Sequence, residues 1–91
     1  MEINFITQIW QDGKMFVAYS PELDVSSCGK TPVEAKKNLH EAVEIFLEET
    51  TKMGTIDDIL VESGFVKEKN NHKISWQPPK IISTGKERVA I

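Results

Sequence analysis

The sequence predicts an α+β domain: a three-stranded antiparallel meander, an amphipathic helix packed on it, and one or more C-terminal strands. Two patterns carry this expectation. Apolar and polar residues alternate with a period of two over Glu2 to Gln11 and over Lys14 to Ser20, the spacing of strands. From Thr31 the period becomes helical, and Ala35, Leu39, Ala42, Val43, Phe46 and Leu47 fall on one stripe. At 91 residues, 40% of them apolar, the chain has room for one domain with a modest core.

Asp12-Gly13 marks the first hairpin, because glycine reaches the positive φ that matches the twist of paired strands. Pro21-Glu22-Leu23 then turns the chain, and Asp24 to Gly29 supplies a third short strand. Ile3, Phe5 and Ile9 are expected to face the helix. Ile6, Trp10 and Phe16 would then lie on the other face. Leaving three such groups in water forgoes about 1.5–3 kcal/mol each, so a cover for that face, another copy of the chain or the C-terminal segment, is expected.

The helix is predicted over Pro32 to Lys52. Thr31 is its N-cap, Pro32 takes the first position, and Glu34 completes a capping box. Glu34, Lys37, Glu41, Glu44 and Glu48 lie opposite the apolar stripe, and Gly54 ends the helix. A shorter helix is capped by Thr55 and closed by Gly64, with Ile56, Ile59 and Leu60 as its apolar set. Phe65-Val66 and Ile74-Ser75-Trp76 read as short strands around a polar stretch with Asn70-Asn71 as its turn. Arg88 to Ile91 reads as a last strand. The whole chain, 1–91, is expected to be a single domain with its core in about 2–52 and an extension over 55–91.

Fourteen acidic residues against eleven basic give a net charge of -3, which argues against DNA or RNA binding by this chain alone. The single cysteine, Cys28, cannot form an internal disulfide, which suits a reducing cytoplasm. No apolar run approaches the roughly 20 residues that span a bilayer.

Chemistry is sparse. His40 and His72 lack ligand-type neighbours at metal spacing, and a pair of either with Cys28 would need a tertiary coincidence. The strand-borne carboxylates are Glu2, Asp12 and Asp24; a metal-dependent nuclease would need three to converge, with Asp24 the best candidate. The five glycines are isolated, and no phosphate loop is present. No catalytic, cofactor-binding or metal-binding residue is assigned. This profile favours a binding module over an enzyme.

The runs Trp10-Gln11-Asp12-Gly13-Lys14-Met15-Phe16-Val17-Ala18-Tyr19, Ser20-Pro21-Glu22-Leu23-Asp24-Val25, Gly29-Lys30-Thr31-Pro32-Val33-Glu34-Ala35, Asn38-Leu39 and Glu41-Ala42-Val43-Glu44 together resemble the HicB family of antitoxins. The resemblance covers about Ile3 to Glu49. It implies a β-β-β-α-β, partial ribonuclease-H-like, two-layer fold. It also implies a partner, a small HicA-type toxin that cleaves messenger RNA and whose site the antitoxin masks without being a nuclease itself. Many family members carry a C-terminal DNA-binding module. Residues 55–91 do not match one, so autoregulatory repression stays an alternative, beside the metal-dependent nuclease. Chains of this length also resemble a stand-alone oligomeric subfamily, a dimer or tetramer. Candidate partner contacts are Glu41, Glu44, Glu48 and Asp24, whose charge suits a basic toxin. Candidate oligomer contacts are Ile6, Trp10 and Phe16.

Overall fold

Strands β1 (Glu2–Ile3), β2 (Gln8–Asp12), β3 (Met15–Ser20) and β4 (Val25–Gly29) precede helix α1 (Pro32–Lys52). Helix α2 (Ile56–Glu62) and strands β5 (Val66–Asn70) and β6 (Lys73–Gln77) follow. In the computed structural model, which describes residues 1–91, they form an α+β fold with two three-stranded sheets, ordered β2-β3-β4 and β1-β6-β5.

The first sheet is the expected antiparallel meander. Its β2–β3 turn is Gly13-Lys14, one residue beyond the predicted dipeptide: Asp12 still pairs with Met15, and only Gly13 takes a positive φ, of 63°. The predicted first strand divides. Residues 4–7 leave the ladder because their backbone finds other partners: Asn4 gives both its amide N and its side-chain Nδ2 to Trp76 O, and Ile6 N bonds the Glu22 carboxylate.

Helix α1 has the predicted bounds. Thr31 Oγ1 accepts from Glu34 N at 3.0 Å, one half of a capping box. The helix lies against β4 and β3, and two contacts set its entry. Asn38 Nδ2 donates to Cys28 O at 2.8 Å. At Gly29 a side chain would strike the first turn, since a Cβ there would stand 2.6 Å from Ala35 N. Close packing explains this glycine.

The second sheet corrects two expectations. Residues 67–73, predicted as a polar stretch, mostly form strands: Val66–Asn70 pairs with Lys73–Gln77 around Asn71 and His72, whose φ values are both positive. Both central residues positive is the I′ pattern. Strand β5 is polar because it is an edge, exposed along its length. The last ordered strand is therefore Lys73–Gln77, and Arg88 to Ile91 has no regular structure and is exposed. Strand β6 runs parallel to β1, with Ile3 opposite Trp76.

One buried cluster joins the layers: Ala18, Leu23, Ala35, Leu39, Val43, Leu60, Phe65 and Trp76. Three of its members lie beyond residue 52, so the extension contributes to the core. Of the predicted helix stripe, Ala42, Phe46 and Leu47 are only half-buried. With the irregular residues 78–91 included, the chain has a radius of gyration of 15.3 Å against about 12 Å for a compact domain of this length.

Candidate protein-binding surface

Two surfaces stand out, on different sides of the first sheet. The first is a groove of about 520 Å³ where the N-terminal segment passes α1. Met1, Ile3 and Phe5 form one wall, with Val43 and Leu47 of α1 and Ile56 of α2 completing the apolar lining. The wall exists because β6 holds β1 by parallel pairing and alternation turns Met1, Ile3 and Phe5 the same way. Along the helical rim stand His40, Glu44, Glu48, Thr51 and Lys52. The i, i+4 spacing places Glu44 and Glu48 one above the other. His40 Nε2 meets Glu44 Oε1 at 2.8 Å with both side chains more than half exposed, so the contact adds little to stability. The Phe5 and His40 rings lie 6.3 Å apart, tilted by 39°.

The predicted partner contacts are thus split. Glu44 and Glu48 share the groove rim, and Glu41 lies on the adjoining exposed surface with Val33, Lys36 and Lys37. Asp24 belongs elsewhere. It sits at a positive φ of 54° and accepts from the Tyr19 hydroxyl at 2.8 Å. That hydrogen bond, then slight desolvation and the charges of Asp24 and Glu22, raises the Tyr19 pKa above its usual 10.0.

The second surface is the face of β2-β3-β4 turned away from α1. Pairing sets Trp10, Val17 and Cys28 in one row, with Gln8, Tyr19 and Ser26 in the next. Trp10 is 47% exposed and stands edge-on to Tyr19, with ring centroids 6.1 Å apart; Met15 is 37% exposed. The predicted trio Ile6, Trp10 and Phe16 does not share this face. Phe16 lies opposite Gln11, on the α1 side, and packs against the core. Ile6 is in the segment between β1 and β2, half-buried. Trp10 alone is where it was expected.

No three His, Cys, Asp or Glu side chains lie close enough to hold a cation, and Glu2, Asp12 and Asp24 do not converge. No helix is long and apolar enough to cross a membrane. The groove escaped sequence reading because its floor combines residues 1–5 with the α1 margin, and only β6 brings these together. A faint signal was present in the even spacing of Met1, Ile3 and Phe5. No family model, curated protein or solved structure matches the chain.

Proposed function

We propose that this chain is a non-catalytic protein-binding domain of HicB-like type, which masks a small, basic, messenger-RNA-cleaving toxin of the HicA kind. The observation that supports the reading is the apolar groove with Glu44 and Glu48 on its rim. A partner that binds RNA carries cations arranged for phosphates. Rim carboxylates offer those cations a matching charge, while Phe5 and Leu47 offer an anchor for an apolar side chain. A small cleft with an apolar floor and a charged edge suits burial of a protruding side chain better than it suits a flat contact. The resemblance over Trp10 to Glu44 supports the same reading. The parallel pairing of β6 with β1, after a meander and a helix, supports the partial ribonuclease-H-like description of the fold.

The test is titration of a HicA-type toxin, taken from the reading frame beside this one, with the purified chain during cleavage of a labelled RNA. Cleavage should stop near equimolar addition. The double variant Glu44→Lys/Glu48→Lys should protect poorly while melting as the parent does. Unchanged cleavage at excess of the parent chain overturns the reading, as does cleavage of RNA by the chain itself with Mg²⁺ or Mn²⁺.

A further inference from the structure

We infer that residues 86–91 fold back into the groove of their own chain as a strap, taking the place the toxin would take. The inference rests on the reading of that groove as the partner site and gives the site a regulation. Charge is divided along the chain: twelve of its fourteen carboxylates precede residue 63, while six of its eleven cations follow it. The segment after β6, with Lys80, Lys86 and Arg88 against Glu87, therefore opposes the charge of Glu44 and Glu48 on the α1 rim. It also carries apolar side chains with nothing to bury them. Ile82 is 86% exposed and Val89 83%.

Spacing matches strap to rim. An extended segment sends Lys86 and Arg88 to one side and Val89 and Ile91 to the other. With Val89 and Ile91 turned down toward Ile3, Leu47 and Ile56, the two cations stand at the level of the rim. Lys86 and Arg88 are then about 6.6 Å apart along the strap, and Glu44 and Glu48 about 6 Å apart along the helix. Each cation meets one carboxylate when the strap runs in the direction of α1. Glu87 alone turns a charge inward. Reach is sufficient. Thr84 lines a cleft with Ile6, the neighbour of Phe5 in the groove wall. From there residues 85–91 cover about 23 Å when extended, against about 18 Å of rim from His40 to Lys52. Gly85, with open space around it, allows the turn. Being tethered, the strap competes at an effective concentration on the order of 1 mM, and the toxin binds only the open fraction.

Nuclear Overhauser spectra of the isotope-labelled full chain test this. Cross-peaks from the Val89 and Ile91 methyls to Phe5, Leu47 or Ile56 are expected at low salt, with intensities independent of protein concentration. Lys86→Glu/Arg88→Glu should abolish them, as should Glu44→Lys/Glu48→Lys, and combining the two swaps should restore them. Glu87→Gln should strengthen them. Val89→Ser/Ile91→Ser opens the strap without changing charge, so it should bind the toxin about threefold more tightly while melting as the parent does. Absence of every such cross-peak overturns the inference. So do cross-peaks that fade on dilution, which would put the segment on another copy. A strapped chain that fails to protect RNA would remove the toxin-masking reading and leave this inference standing. Protection by a chain without the cross-peaks would do the reverse.

Discussion

The backbone nitrogen of Ala35 stands 2.6 Å from where a Cβ on Gly29 would be, and the carbonyl carbon of Glu34 at 2.9 Å. The end of β4 and the start of α1 thus touch backbone to backbone. Asn38 Nδ2, donating to Cys28 O, adds a hydrogen bond between the two elements beside this contact.

Gly29→Ala should therefore destabilise the domain by about 2 kcal/mol or more, because the obstacle is main chain. Asn38→Ala, which removes one hydrogen bond, should cost about 1 kcal/mol. Urea unfolding of both variants checks the order.

At the helix start only one arm of the capping box is closed. Thr31→Ala should cost about 1 kcal/mol. Glu34→Ala should cost less, since the Glu34 group that bonds Thr31 is its backbone N and not its side chain. Thermal melts of the two variants measure the difference.

Burial grades the helix stripe. Leu39 has no exposed surface, so Leu39→Ala should cost about 3 kcal/mol. Phe46 is half-buried, and Phe46→Ala should fall below that despite the larger side chain. Val33→Ala, at a site 79% exposed, should be within about 0.5 kcal/mol of neutral.

Tyr19 is the only tyrosine, so phenolate absorbance reports it alone. Its midpoint should lie above 10.0, and Asp24→Ala should return it toward that value. The folded pKa is raised, so the folded state holds the phenolic proton more tightly than the unfolded chain does. Whatever stability this adds is complete below pH 10 and disappears as pH rises through the folded value.

Local signals were legible where local physics decides. Thr31, Pro32 and the stripe from Ala35 to Leu47 set α1 because capping and periodicity act within a few residues. The first hairpin was legible for the same reason. Three things were not. Phe16 was assigned to the outer face, whereas strand register puts it beside Gln11 on the helix side. Strand β5 carries Lys67, Glu68 and Lys69 because an edge strand need not bury a face, and such a strand has no apolar pattern to read. The groove depends on β1 meeting β6, a pairing no short window contains. Glu44 and Glu48 were visible as an acidic pair on one helix face. Their neighbours Ile3 and Phe5 were not, and neither was the bond that draws Asp24 away to Tyr19.

The pairing of β1 with β6 also sets an order of events. Asn4 and Trp76 are 72 positions apart, and closing so long a loop costs entropy that the meander and α1, built from near neighbours, avoid. During synthesis those earlier elements can assemble while Trp76 is still in the ribosomal tunnel, leaving Met1, Ile3 and Phe5 undocked. The cleft is thus the last part of the molecule to mature, and the amides of Ile3 and Asn4 should trade hydrogen for deuterium well before those of Leu39 and Val43.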